Sequence, residues 1–418
     1  MTENSREFDV VVYGATGFVG VLTAKYLAEH APAGTRIALA GRNESKLEQT
    51  RASLPDVAHD WPLIVADSDS PASLDAMAAR TRVVCTTVGP YLKYGESLLA
   101  AVANAGTDYV DLTGEIPFVR FAIDKFGDQV AATGARVVHS CGYDSIPSDV
   151  GVHLLHERVQ ADGEGELTDT TLVVTKIRGG LSGGTFDSMR VIADLARQPE
   201  ARKILINPHA LSSGPGEVKR GDSKQEPSDA AIFSAAKVDP SLKGALAPFI
   251  MASYNTRIVR RTNFLLGGVY GDRFKYGEAM AVGRNPVLSR VAAAGVAAGL
   301  GGLFGGLAMK PTRRVLDRFL PEPGEGPSEK TRERGFFDHR TYTTTTTGAR
   351  YMAKVVGQGD PGYKATAMML GESALTLALD RDKLPDRRGV LTPISAMGDA
   401  LVDRLRAAGM TLEVTRLD

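Results

Sequence analysis

The stretch "VVVYGATGFVG", residues 10–20, places Gly14, Gly17 and Gly20 at three-residue spacing directly after an apolar, β-branched run. "FDVVVYG" has the composition of a short strand, and "VLTAKYLAEH" beyond the glycines has helical spacing. Strand, glycine turn, helix is the opening of a dinucleotide-binding unit. Gly14 then allows the tight turn and Gly17 lets the backbone approach a pyrophosphate at the helix N-terminus. Gly20 permits close packing of helix on strand, and Thr16 and Phe18 complete the set of candidates at the turn. The spacing is G-x-x-G-x-x-G instead of G-x-G-x-x-G, so a purely structural glycine turn is the alternative that the following residues must decide.

Those residues are "RIALAGRNESKL", in which Arg36 to Ala40 read as a second strand. A chain that binds NAD usually ends this strand with an acid for the ribose hydroxyls. Here Gly41 and Arg42 stand in its place. An acid repels a 2′-phosphate, whereas a guanidinium pairs with it in fork geometry. The expected cofactor is therefore NADP, with Arg42 on the phosphate and Ser45 and Lys46 assisting. The competing reading is a solvated arginine in a loop.

Further strands follow at α/β spacing: "PLIVAD", "RVVCTTVG", "DYVDLTGE" and "ARVVHSCG", with helical stretches such as Ser73–Arg80 and Gly95–Ala105 between them. The pattern predicts a Rossmann-type, doubly wound parallel sheet of about six strands. Ligands of such sheets sit at the carboxyl ends of strands, so Gly89, Pro90 and Tyr91 of "TTVGPYLKYG" are expected at the ribose–nicotinamide end. Asp67, ending the third strand, is a candidate for the adenine or, equally, for a loop cap. At 418 residues the chain is too long for one ordinary core, and two domains are expected. Equal numbers of basic and acidic residues, 49 each, give no field that favours nucleic acid. Cys85 and Cys141 lie in apolar runs, which suits reduced thiols and excludes a disulfide framework. "MTENSREFDVVVYG" lacks a basic segment followed by an apolar one and reads as a cytosolic start.

Taken together, "YGATGFVG", "TTVGPYLKYG", "GTDYVDLTGE", "CGYDSIPSD", "GGLSGGT", "GDPGYKATAMM" and "GVLTPISAMGDAL" resemble the saccharopine dehydrogenase-like oxidoreductases, and within them the mycobacterial trans-acting enoyl reductases. The likeness runs over about residues 7–416. It implies a Rossmann domain, NADPH and a second α+β domain. For the enoyl-reductase branch it implies reduction of a polyketide or fatty-acyl double bond. That reaction serves a modular synthase lacking a competent enoyl-reductase domain, in cell-envelope lipid assembly of the phthiocerol and phenolphthiocerol type.

Past Asp149 the βα rhythm fades. Leu172–Arg178, Thr256–Arg261, Arg273–Val282 and Thr341–Val356 read as longer strands, which predicts a mostly antiparallel sheet with helices on one side. The expected division is 1–150 for the dinucleotide-binding domain and 151–360 for an α+β substrate or oligomerisation domain. In the resembled family the segment from about 360 to 418 returns to the first domain. "TPISAMGDALVDRLRAAG" carries a helix opened by Thr392–Pro393 and ended at Gly409. "VLSRVAAAGVAAGLGGLFGGLAM", Val287 to Met309, has no charge after Arg290. A helical hairpin, a bilayer span and a surface that touches membrane or acyl chain all fit it, and its weakly hydrophobic Ala/Gly content counts against the span.

Reduction of an enoyl thioester needs a hydride at the β-carbon, a hydrogen-bond donor for the developing enolate and an acid for the α-carbon. Tyr91 and Tyr143 are the tyrosine candidates, beside Tyr94, and Lys176 lies on a strand just before "RGGLSGGT". Ser182, Gly183 and Gly184 offer backbone N–H groups, while His139 reads as a hydrogen-bonded strand-interior residue. Three classes follow. One is the NADPH enoyl reductase acting on an acyl thioester, free or carrier-bound on a polyketide synthase, with an apolar groove built from Phe186, Phe264 and the Ala/Gly run. Another is an imine or amino-acid oxidoreductase whose carboxylate clamp comes from Arg178, Arg257, Arg260 and Arg261. The third is a non-catalytic NADPH-binding, lipid-associated scaffold. A homodimer and peripheral attachment at the inner face of the plasma membrane through residues 287–309 accompany these readings as expectations.

Overall fold

The computed structural model describes residues 6–180, 183–216, 226–316 and 326–418. In chain order the strands are β1 (Phe8–Tyr13), β2 (Ile37–Gly41), β3 (Leu63–Val65), β4 (Thr81–Thr86), β5 (Asp108–Val110), β6 (Arg136–Val138), β7 (Leu167–Arg178), β8 (Phe233–Ser234), β9 (Ala245–Pro248), β10 (Lys275–Ala281), β11 (Phe336–Thr345), β12 (Arg350–Gln358), β13 (Gly389–Leu391) and β14 (Thr411–Arg416). Every residue of β1 and of β2 is buried, the pattern of parallel strands covered by helices on both faces. These strands join a seven-stranded sheet in the order β13-β6-β5-β4-β1-β2-β3, parallel throughout. The six strands read from the sequence are all present. The seventh, β13, pairs with β6 from far along the chain, beyond the stretch in which strands and helices alternate.

The second sheet runs β14-β12-β11-β7-β10-β9-β8. Its pairs are antiparallel except β7 with β10. This is the α/β architecture that the sequence predicts, a Rossmann sheet with a second, mostly antiparallel one. Helix Lys364–Leu379 packs on helix Phe18–His30 and on β1, β4 and β5, and β13 then extends the parallel sheet. The chain leaves it again to close the second sheet with β14.

Three local expectations give way. Thr256–Arg261 lies within the helix Ala252–Leu265, not in a strand. Its β-branched residues are accommodated because Thr256 and Thr262 hydroxyls donate to the carbonyls of Ala252 and Ile258 one turn back, at 2.8 and 3.2 Å. Thr341–Val356 is two strands, β11 and β12, joined by a turn in which Gly348 adopts φ +93°. The run Pro286–Ala308 is one continuous helix of 23 residues instead of a helical hairpin.

Candidate active site

Gly14 takes φ +86°, and its N–H donates to the Ala40 carbonyl at 2.9 Å. A Cβ there would stand 2.7 Å from Val88 Cγ2. A Cβ on Gly20 would fall on the Gly14 carbonyl oxygen, nearer than atoms can approach, so Gly20 lets helix Phe18–His30 seat against the turn. Gly17 is different: a Cβ would meet only the Gly14 oxygen, at 3.3 Å, and the remaining space is open. The helix starts at Gly17 with no side-chain cap and no acid in its first turn. Its first N–H groups and the positive end of its dipole are left for an anion. This cradle fits a dinucleotide pyrophosphate, with Thr16 half-buried in the turn and Phe18 half-buried on the wall of the adjoining cavity.

At the adenine end, Arg42 follows β2 and is exposed, as are Ser45 and Lys46. Asn43 Oδ1 accepts from the Lys46 N–H at 2.9 Å and starts the helix Glu44–Ser53, which fixes the loop that carries Arg42. Asp67 belongs to its own turn: its Oδ1 accepts from Asp69 N–H at 3.1 Å, and its N–H donates to Ser73 Oγ at 3.1 Å. These are the contacts of a loop cap.

A cavity of about 720 Å³ opens beside the glycine turn and takes its walls from both sheets. Gly17, Phe18, Thr87 and Gly89 line it from the first sheet, and Ile177, Phe249 and Met280 from the second. Gly183 and Gly184, at the start of helix Gly183–Leu195, also reach it. Among the described lining residues Asp144 is the only acid, and none is Lys, Arg or His. Burial, with Asp111 adding to it, pushes the Asp144 carboxyl up to about 7. Tyr143, its neighbour, places its hydroxyl 2.9 Å from His339 Nε2 on β11. Burial drives that imidazole down to about 3, so it is neutral at physiological pH and able to orient the phenol.

Buried carboxylates hold these parts. Asp111 accepts from Tyr109 hydroxyl at 2.9 Å and from the N–H groups of Thr113 and Ser140 at 3.0 and 2.9 Å, and its Oδ2 lies 2.7 Å from His139 Nδ1. His139 is therefore the hydrogen-bonded interior residue that the sequence suggests. Glu115 accepts from Tyr91 and Leu92 N–H at 3.0 and 2.8 Å and from Ser188 Oγ at 2.7 Å, tying the loop after β4 to the helix Gly183–Leu195. Asp360 accepts from Gly180 and Gly362 N–H at 3.1 and 2.9 Å, and so locks "RGG" against "DPGY".

Several sequence candidates fall elsewhere. Tyr91 lies on the cavity wall, but its hydroxyl turns inward, accepting from Leu112 N–H at 3.1 Å and facing the Thr86 carbonyl at 3.4 Å. It braces two strand ends. Pro90 is buried and opens the turn of helix Tyr91–Tyr94, leaving Gly89 as the member of that pair on the cavity. Lys176 is exposed and points to the opposite face of β7 from Ile177, because side chains alternate along a strand. Arg257 pairs with Asp229, Arg260 with Glu226 at 2.9 Å, and Arg261 with the Leu211 and Val390 carbonyls. With Arg178 exposed at the end of β7, none of the four makes a carboxylate clamp in the cavity. Phe186 packs with Met189 and Leu307 in a separate small core, and Phe264 is exposed. Only the Ala/Gly run among the proposed groove residues reaches the cavity, through Val296, Leu300 and Phe304. Ser182 lies outside the described residues. Asp144, Glu115, His339 and Asp360 were missed; only Asp144 carried a signal, as the residue beside Tyr143 in "CGYDSIPSD".

The glycine cradle, the 3-2-1-4-5-6 strand order and the second, mostly antiparallel sheet define a dinucleotide-binding fold of the saccharopine dehydrogenase-like class. The fold is similar to that of saccharopine dehydrogenase (L-Glu forming) from Saccharomyces cerevisiae, with TM-score 0.54 and 14% identity over 98% of this chain and 99% of that one. Sequence comparison carries the assignment further. The chain is 52% identical, over the full length of both, to a Mycobacterium tuberculosis protein provisionally named a trans-acting enoyl reductase. It is 47% and 45% identical, again over full length, to the trans-acting enoyl reductases of Mycobacterium bovis and Mycobacterium ulcerans. No family model matches the chain. The protein belongs to the trans-acting enoyl reductase family.

Proposed function

We propose that the protein is an NADPH-dependent enoyl reductase that acts in trans on an α,β-unsaturated acyl thioester, carried on a polyketide synthase in cell-envelope lipid synthesis. The observation that carries this reading is the cavity beside the glycine turn: it is mostly apolar, it includes one carboxyl group, and it has no cationic side chain among its described residues. An amino-acid substrate needs a cation for its carboxylate, whereas a neutral acyl chain needs apolar walls. The turn at Gly14, Gly17 and Gly20 holds the pyrophosphate, and Arg42 meets the 2′-phosphate. Residues 1–150 with about 360–410 form the cofactor half, and residues 151–360, closed by β14, supply the substrate wall. A cytoplasmic location suits both the thioester and the reduced cofactor.

When bound, the dinucleotide supplies the hydride for the acyl β-carbon. The protein's task is then to hold the thioester, exclude water and deliver a proton. Asp144, on a cavity wall with its carboxyl raised to about 7 and so partly protonated at neutral pH, gives its proton to the α-carbon. Tyr143, oriented by His339, donates a hydrogen bond to the enolate oxygen. The test is NADPH oxidation with enoyl thioesters beside an imine and keto-acid panel. Turnover with the thioesters supports the reading; turnover confined to the second panel overturns it in favour of the amino-acid class. Tight NADPH binding without turnover on either panel identifies a scaffold.

A further inference from the structure

Helix Pro286–Ala308 has two apolar sides. Val296, Leu300 and Phe304, one stripe at four-residue spacing, line the cavity. Ser289, Ala293 and Leu307 fix the helix to the body: Ser289 Oγ accepts from Ala245 N–H at 2.8 Å, and Leu307 packs with Phe186 and Met189. The opposite side meets solvent. Val287, Leu288 and Val291 are 70, 68 and 68% exposed, and Met309 and Val315 beyond them 55% each. Six glycines interrupt the helix, a composition that isolated helices in water tolerate poorly. By length and hydropathy it is apolar enough to cross a bilayer, yet only 11% of its most apolar window is buried. Its charges are one-sided. Residues 283–316 contain five basic side chains and no acidic one, in a chain of zero net charge. Arg284 and Arg290 near one end and Arg314 beyond the other are exposed and form no ion pair with a described residue.

We propose that this outer face docks the protein on an anionic lipid bilayer, with the helix lying in the interface plane. Spanning is excluded by the contacts of Ser289, Ala293 and Leu307, which would have to break. An interfacial helix needs an apolar face flanked by cations, and both are present here. A lipid surface also removes the helix from water, where its glycines weaken it most. The docked face is the reverse of a cavity wall, so the cavity lies beside the bilayer; that an acyl chain then enters from the lipid side rests on the function proposed above, whereas the docking does not.

The experiment is co-sedimentation of the full chain with phosphatidylglycerol-containing vesicles and with pure phosphatidylcholine vesicles. Size-exclusion chromatography with light scattering runs alongside. Binding to the anionic vesicles is expected, weakened by salt and by about tenfold or more in the double variant Val287→Asp, Val291→Asp. Both positions are exposed, and an unchanged circular dichroism melt confirms that the variant folds. Arg284→Glu with Arg290→Glu is expected to weaken binding to the anionic vesicles further than to the neutral ones. Absence of binding to anionic vesicles overturns the proposal, as does binding that neither double variant reduces. A dimer that Val287→Asp, Val291→Asp dissociates, without vesicle binding by the wild type, assigns the face to a second copy of the chain instead. Loss of vesicle binding leaves enoyl-thioester turnover in solution to be judged separately, so failure here and failure of the proposed reaction are distinguishable.

Discussion

In the proposed reaction, proton delivery rests on one carboxyl group, that of Asp144. Its proton affinity is raised chiefly by desolvation, with Asp111 as a like-charged neighbour, and both causes belong to the folded state alone. Between an ordinary carboxylate value and about 7 the folded protein therefore holds a proton that the unfolded chain has released. Stability from this group falls as pH rises through that window, since the unfolded chain gains free energy by releasing a proton that the folded state keeps. Asp144→Asn is expected to raise the melting temperature at pH 8 and to leave it nearly unchanged at pH 4. The same carboxyl, as proton donor, makes kcat/KM for thioester reduction fall above about pH 7. In the Asn variant turnover drops by on the order of 10²–10³ and that limb disappears. A pH profile retained in Asp144→Asn assigns the proton to another group. Arg42 carries the proposed cofactor preference. With no acid at the end of β2 and the guanidinium exposed, NADPH should bind more tightly than NADH, and Arg42→Ala should cost about 1–3 kcal/mol of NADPH affinity alone. Calorimetric titration of both cofactors reads this directly, and equal losses for the two would assign Arg42 to the fold instead.

The glycine turn and its helix show how far sequence reasoning reaches at the scale of an element. Spacing alone assigned three different tasks to three glycines, and the structure separates them by what a Cβ would meet. Gly20→Ala drives a methyl into the Gly14 carbonyl and should destabilise the protein by about 2–3 kcal/mol, measured in urea. Gly17→Ala should cost little stability, because its one near neighbour is 3.3 Å away, while Gly17→Val should fill the pyrophosphate space and abolish cofactor binding. Unchanged NADPH affinity in Gly17→Val would mean that Gly17 does not face the phosphates. The parallel strands were legible because full burial leaves continuous β-branched runs. The helix Ala252–Leu265 was not, since threonines that bond back to the preceding turn look like strand formers in a one-dimensional reading. The turn was legible because it is built from backbone, at Gly14, Gly17 and Gly20. The candidate site was opaque where it depends on which way a side chain turns: Tyr91 and Lys176 lie within their expected segments, yet one hydroxyl faces the strand ends and the other side chain the far face of β7. The Asp360 clamp joins segments that the sequence holds far apart, at Gly180 and Gly362, and no local pattern announces such a contact.

At the scale of the whole molecule, the cavity exists because the chain makes two sheets and stitches them together twice. Helix Lys364–Leu379 and β13 return to the parallel sheet after the antiparallel one is largely built, and β14 goes back across. Glu115, bridging to Ser188, and Asp360, bridging to Gly180, close the seam on either side of the cavity mouth. The resulting cavity is mostly apolar and about 720 Å³ in volume, which in the proposed reaction the nicotinamide end of the cofactor and the acyl chain share. Substrate length should therefore be read by the enzyme. Each methylene added to an enoyl thioester removes apolar area from water, worth about 0.8 kcal/mol, or roughly a fourfold gain in kcat/KM per carbon until the cavity is full. Leu300, on the inner stripe of helix Pro286–Ala308, lies on its wall. Leu300→Trp should shorten the preferred acyl chain by some carbons while leaving turnover of the shortest thioesters and NADPH affinity near the wild-type values. The measurement is kcat/KM across a series of enoyl thioesters from four carbons upward, for wild type and variant. A steep rise that plateaus, with the plateau moved to shorter chains in Leu300→Trp, places the acyl chain in this cavity; a flat profile in the wild type, or a plateau that the variant does not move, places it elsewhere.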